Sequence, residues 1–331
     1  MTGLKAVKLK HSDFSHGFTL IEMLVSVLIL SLVLIAVYSF FDQGQWLYTS
    51  IENQTANQQN VRIVMENLER DVRMAASGVP VGSDTSGTLN WSPFIFTAER
   101  SKIYFHADVD SRTTLVTTDA ASGAGAVTVE DPSVVCPSAN TPLAIYDSDK
   151  RKWQAVLCAS VSGSSINVSP NTAIAFPATS STVYSPDTIF YRLTGDADGD
   201  GVCDDVNGDS VLCTDNTNRK AGGDYPFCNI ERAVVYGNDP GSAVAPWSAD
   251  RDANSASFET VATNICTFQL HYYSANGTEI NSGNVPLTGG FLQSIQRVKA
   301  TITSMSRTNE GPGKYQELQL NSDILLRSAK Y

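Results

Sequence analysis

From Phe18 to Phe41 the chain reads FTLIEMLVSVLILSLVLIAVYSFF, 24 residues in which Glu22 is the one charge. As a helix at 1.5 Å per residue this run spans about 36 Å, enough for a hydrocarbon core of about 30 Å. A buried helix of a soluble domain rarely goes so long without a polar face. A cleaved secretory signal would carry a shorter apolar region and a small-x-small site just beyond it. Here the run ends in YSFFDQGQW, so the pattern predicts a retained membrane span. No Pro interrupts residues 42–77, and Gly44 is the one soft spot. There Val61, Val64, Met65, Leu68, Val72 and Ala75 recur at helical spacing and line one face. Glu66–Arg70 and Glu69–Arg73 stand at i,i+4 in the favourable order. Gly78 and Pro80 supply a stop. The expectation is one helix over 18–77, with a transmembrane half at 18–41 and an amphipathic half at 42–78 that packs on a globular head.

Residues 79–331 break into short β-prone runs between Gly, Ser, Asn and Pro turns: 93–96, 102–107, 125–130, 143–147, 153–161, 166–169, 173–177, 188–193, 232–237, 266–273, 298–305 and 316–326. In VKATITS, Val298, Ala300 and Ile302 alternate with Lys299, Thr301 and Thr303, so one face of the sheet can lie on the helix. Residues 242–260 read as a surface loop. The fold class predicted is α+β, a long N-terminal helix packed on an antiparallel sheet.

Charge sharpens this picture. The 331-residue chain carries a formal charge of -11, which argues against nonspecific nucleic-acid binding, and no nucleic-acid partner is expected. Residues 1–17 are nevertheless basic, with Lys5, Lys8 and Lys10 against Asp13. A basic segment before an apolar run places the N-terminus in the cytoplasm and the acidic body across the membrane. All six cysteines, Cys136, Cys158, Cys203, Cys213, Cys228 and Cys266, lie in that body, as expected for disulfides in an oxidising compartment. Six cysteines admit fifteen complete pairings. Cys136–Cys158 is plausible across neighbouring strands, and Cys203–Cys213 could close the acidic loop around them. With no CxxC pair, structural zinc is not expected.

That loop holds the densest chemistry. GDADGDGVCDDVNGD at 195–209 spaces carboxylates as D-x-D-x-D-G, resembling the start of EF-hand-like and thrombospondin-type-3 calcium loops. Alternate oxygens point inward and the glycine permits the tight turn. The expected ligands for a structural Ca²⁺ are Asp196, Asp198, Asp200, the Val202 carbonyl, Asp204 and Asn207 or Asp209. Where the EF-hand pattern wants Glu, this chain has Asn207. Catalysis finds no support: His106 and His271 sit in strand-like runs, and there is no HExxH, GxSxG or phosphate-binding glycine loop. No enzymatic activity is expected.

The segment His16-Gly17-Phe18-Thr19-Leu20-Ile21-Glu22, between a basic leader and an apolar helix, resembles the N-terminus of the type IV pilin and type II secretion pseudopilin superfamily. The resemblance implies a type IV pilin-like fold and a leader, residues 1–17, removed by prepilin peptidase between Gly17 and Phe18, with N-methylation of the new N-terminal Phe18. It implies that Glu22 pairs with the N-terminal amine of a neighbouring subunit, and that other major and minor pilins are partners through the N-terminal helix. The chain would sit in the bacterial inner membrane, N-terminus cytoplasmic, before joining a filament with its head periplasmic or extracellular. Ser39 stands where major pilins often carry proline. The long acidic helix ending ENLERDVRMAASG and the segments 261–277, 295–306 and 315–328 resemble large minor pilins of the PilW type and the J-type minor pseudopilin. A minor pilin initiating a type IV pilus, or placed near its tip, is the function implied; a J-type pseudopilin or a tip adhesin is the alternative.

Overall fold

The computed structural model describes residues 19–75, 95–107, 109–196, 201–203, 228–235, 257–280, 287, 290–307 and 315–326. By internal contacts the chain divides into two units, residues 1–52 and 53–331. Helix α1, Leu20–Met74, contributes to both.

In the first unit the large apolar side chains of α1, among them Leu24, Leu28, Leu32 and Ile35, are all exposed. Two of the serines inside the run are satisfied by the helix itself: Ser26 donates to the Glu22 carbonyl at 2.7 Å and Ser31 to that of Leu28 at 2.8 Å. Such back-bonding spares these two hydroxyls an unmet exposure to an apolar medium.

In the second unit α1 buries Val61, Val64, Met65, Leu68, Val72 and Ala75, the stripe read from the sequence. Glu69 pairs with Arg73 at 3.1 Å as expected. Glu66, however, reaches back to Arg62 at 3.9 Å, while Arg70 turns to Asp71 at 3.3 Å. The exposed Glu66 can meet either neighbour, whereas the buried Asp71 needs a cation.

The strands run in chain order. First come β1 (Ile95–Ala98) and β2 (Lys102–Ala107). Then follow β3 (Thr113–Leu115), β4 (Ala126–Thr128), the short helix α2 (Pro132–Val135), β5 (Pro142–Asp147), β6 (Lys152–Ser162), β7 (Ser165–Ser169) and β8 (Ser181–Tyr184). Last are β9 (Asp187–Leu193), β10 (Cys228–Val235), β11 (Glu259–Tyr273), α3 (Gly290–Gln293), β12 (Arg297–Arg307) and β13 (Tyr315–Leu325). They make two antiparallel sheets, ordered β1-β2-β9-β10-β11-β12-β13 and β3-β8-β5-β6-β7-β4.

The seven-stranded sheet shares one core with α1, including Phe105, Tyr191, Phe268, Tyr272 and Ile302. In β12, Val298, Ala300 and Ile302 are buried and Lys299 is exposed, as the alternation predicted; Thr303 on the opposite face is also covered. The six-stranded sheet has a separate core, including Leu143, Ile145, Val156, Ile166 and Phe176. Its two end strands meet: Val116 bridges Val129, Thr117 N–H donates to the Thr128 carbonyl at 2.9 Å, and Glu130 N–H to that of Leu115 at 2.9 Å. This sheet therefore closes on itself as a small barrel. It is inserted between β2 and β9, whose ends Ala107 and Asp187 pair directly.

Two sequence expectations change. Residues 173–177 form no strand; Phe176 makes an isolated bridge to Ala120 and fills the barrel core. At 242–260, Glu259 and Thr260 open β11 against Arg232 and Glu231; within this span, 242–256 lie outside the described residues.

Candidate functional site

The N-terminal end of α1 is built by its own sequence. Thr19 precedes the first helical residue and Glu22 stands three positions on, the spacing of a capping box. The Glu22 Oε2 accepts from the Thr19 N–H at 2.9 Å and from its hydroxyl at 2.9 Å, and Glu22 N–H donates to Thr19 Oγ1 at 3.3 Å. The carboxylate thus stands one turn into the helix, facing the residues that precede it. Gly17 and Phe18, the expected processing positions, lie outside the described residues.

The acidic loop is described at its two ends. Asp196 Oδ2 accepts from the Gly201 N–H at 3.0 Å. Gly201 has φ +84, and a Cβ there would lie 2.7 Å from the Phe268 carbonyl oxygen and 2.8 Å from Gln269 Cγ. Only glycine fits, because residues 201–203 run as a short strand against β11. The Gly201 carbonyl accepts from Phe268 N–H at 2.8 Å, and Cys203 N–H donates to the Cys266 carbonyl at 2.8 Å. Val202 bridges Thr267 between those two bonds, so its carbonyl points away from β11. Asp198, Asp200, Asp204, Asn207 and Asp209 lie outside the described residues. Among the described residues no three His, Cys, Asp or Glu side chains gather as a metal site.

Cys136 and Cys158 are bonded, as anticipated. Cys203 is bonded to Cys228 rather than to Cys213. The reason is topological: β10 lies between β9 and β11, which brings its first residue beside the strand 201–203. Cys266 is buried, and Cys213 lies outside the described residues. The two histidines have ordinary strand environments: His106 is buried against Thr188 Oγ1 at 3.2 Å, and His271 meets Glu279 at 2.7 Å.

One polar cluster was not anticipated. Asp71 is fully buried between α1 and the seven-stranded sheet. Its Oδ2 accepts from the Tyr191 hydroxyl at 2.7 Å and from Arg232 Nε and Nη2, both at 2.8 Å. Burial first, and the Asp71 charge second, push the Tyr191 phenol well above its usual range, so it remains a donor. The signal was present in the pattern, since Asp71 stands three after Leu68 and four before Ala75, on the buried stripe.

Residues 14–38 match the family described as the prokaryotic N-terminal methylation motif. No match is found among curated proteins. The motif, leading into an exposed apolar helix and followed by a helix-backed antiparallel head, supports a type IV pilin- or pseudopilin-like protein, anchored in the membrane before assembly. It implies a prepilin-peptidase substrate and a structural rather than enzymatic subunit.

Proposed function

We propose that this chain is a minor pilin, a structural subunit that initiates a type IV pilus or is incorporated near its tip. The observation that carries the reading is the methylation motif at 14–38 continuing directly into α1. Prepilin peptidase cuts between Gly17 and Phe18, and the freed amine becomes N-methylated. Glu22, the one charge between Phe18 and Phe41, then receives the amine of a neighbouring subunit. Ser39 in place of proline and the inserted second sheet favour a specialised subunit over the main shaft subunit. The head faces an oxidising compartment, consistent with its disulfides. The loop 196–209 binds a structural Ca²⁺ through Asp196, Asp198, Asp200, the Val202 carbonyl, Asp204 and Asn207 or Asp209; the hydrogen bond from Gly201 N–H to Asp196 Oδ2 suits such a loop.

Intact-mass analysis should find a mature chain beginning at methylated Phe18, and a protein retaining Met1–Gly17 would overturn the reading. Immunogold labelling should place the head on sheared pili. Absence from pili, with loss of protein secretion on deletion, would favour a J-type minor pseudopilin instead, since the motif serves both machines.

A further inference from the structure

We propose that Tyr38, Trp46 and Tyr48 form an interfacial anchor that seats α1 in the bilayer, with residues 23–41 in the hydrocarbon core and Trp46 and Tyr48 in the outer headgroup layer. The proposal rests on the membrane-anchored reading and adds a depth and a lipid contact to it.

Glu22 and Asp42 bracket nineteen uncharged residues, 23–41, which as helix rise about 28 Å and match a hydrocarbon core of about 30 Å. Both carboxylates then sit at an interface, where neither pays the cost of a buried charge. Glu22 has its Oε2 held by Thr19, and the two bonded serines lie inside the core with their hydroxyls returned to the helix backbone.

The aromatic side chains begin where that core ends. Tyr38, Trp46 and Tyr48 are 76 %, 66 % and 71 % exposed. With the outer boundary at Asp42, Trp46 stands about 6 Å and Tyr48 about 9 Å beyond it, while Tyr38 lies about 6 Å inside and can turn its hydroxyl outward. The headgroup layer on one side of a bilayer is about 5–8 Å thick, so Trp46 falls within it, Tyr48 stands at its outer edge with its ring leaning back toward the helix N-terminus, and Tyr38 reaches it from the core side. Their directions matter as much. Each residue turns the helix by about 100°, so Tyr38, Phe40, Trp46 and Tyr48 point to different sides of the axis rather than along one stripe. A partner helix would be met by one stripe. A layer that surrounds the helix suits aromatics on every side, and rings with one polar atom prefer that layer. Asp42, Gln43, Gln45 and Thr49 are interleaved with them, as a polar headgroup environment requires.

The test uses the full chain in vesicles of phosphatidylethanolamine and phosphatidylglycerol brominated at shallow or deep acyl positions. Subtracting the fluorescence of Trp46→Phe from that of wild type isolates Trp46 from the other tryptophans. The difference emission should be blue-shifted, protected from iodide, and quenched roughly twofold or more strongly by shallow than by deep bromines. Iodide quenching without bromine quenching, in a chain retained through alkaline carbonate, overturns the depth assignment and leaves the anchoring intact. Strongest quenching by deep bromines overturns it as well. Release of the chain by carbonate overturns the anchoring and this proposal with it.

Discussion

Asp71 is an acid at a position where helical spacing calls for an apolar side chain, and its surroundings repay the exception. The buried carboxylate is met by Tyr191 and by two nitrogens of Arg232, so its charge is neutralised within the helix–sheet contact. Removing Asp71 leaves the buried Tyr191 hydroxyl and the half-buried Arg232 without their acceptor. Asp71→Ala should therefore destabilise the head by about 3–5 kcal/mol, whereas Asp71→Leu combined with Arg232→Met should cost less than the single change. Urea unfolding of the detergent-solubilised chain measures both, and an additive double mutant would show that the pair is not coupled. Gly201 is a second position where one atom decides. Gly201→Ala must fit a Cβ into the space between Phe268 and Gln269 at a positive φ. Gly163 has φ +61, but a Cβ added there would meet nothing within 4 Å. Gly163→Ala should thus cost about 1 kcal/mol from backbone strain alone, and Gly201→Ala clearly more. Equal melting temperatures for the two variants would remove the steric argument.

At the scale of elements, the hairpin β5–β6 is held by one buried carboxylate. Asp147 Oδ1 accepts from the Ser180 hydroxyl at 2.7 Å and the Asp149 N–H at 3.1 Å, and Oδ2 lies 3.5 Å from Lys150 Nζ. Burial alone would raise its carboxyl, but the bonds from Ser180, Lys150 and Asp149 outweigh it and hold it below the ordinary 3.8. Because the folded value is lowered, the stabilisation is complete above the ordinary carboxylate range and is lost as pH falls through the lowered value. Asp147→Asn should be less stable than wild type at neutral pH, with the gap narrowing below about pH 4. Melting curves across that range decide it, and a gap constant with pH would rule out the titration of Asp147. The same barrel is crossed by Cys136–Cys158, which are separated by 22 residues. Replacing both by Ser should cost about 3 kcal/mol through the freer unfolded chain, read as a lower denaturant midpoint.

Across the head, the two largest cores among the described residues lie one with each sheet, and the inserted barrel begins and ends at paired residues. Ala107 pairs with Asp187, and Val109 N–H reaches Asp187 Oδ2 at 3.1 Å, so a short turn could join β2 to β9 directly. Replacing residues 109–186 with such a turn should leave the seven-stranded sheet and α1 core folded, because the barrel buries its own apolar residues. Circular dichroism and a cooperative melt of the shortened chain test this; a molten product would show that the cores depend on each other. The proposed calcium loop acts at the same scale. If Ca²⁺ binds the folded loop alone, free calcium at 100 times its dissociation constant adds about 2.7 kcal/mol. Melting should then be higher in calcium than in chelator, and Asp198→Ala with Asp200→Ala should remove the difference. Identical melting in both conditions would reduce the loop to a solvated acidic turn.

The apolar run at 18–41 was legible from its unbroken length, and the buried stripe from Val61 to Ala75 and the alternation in β12 because each is a periodic pattern within one element, where spacing alone selects a face. The Gly17–Glu22 motif was legible because it is contiguous in sequence; the Thr19–Glu22 cap inside it was not read there and came from the structure. The strands β3 and β8 were not, since three or four residues such as Thr113–Leu115 carry too little alternation to read. Nor did local pattern reveal that the strand-like runs divide between two sheets, because which strands pair is a matter of chain return. That return carried Cys228 to Cys203 in place of Cys213. It also brought Arg232 and Tyr191, 161 and 120 positions away, onto Asp71. Sequence spacing determined which faces must be buried; only the closure of the sheets decided which distant residues would bury them.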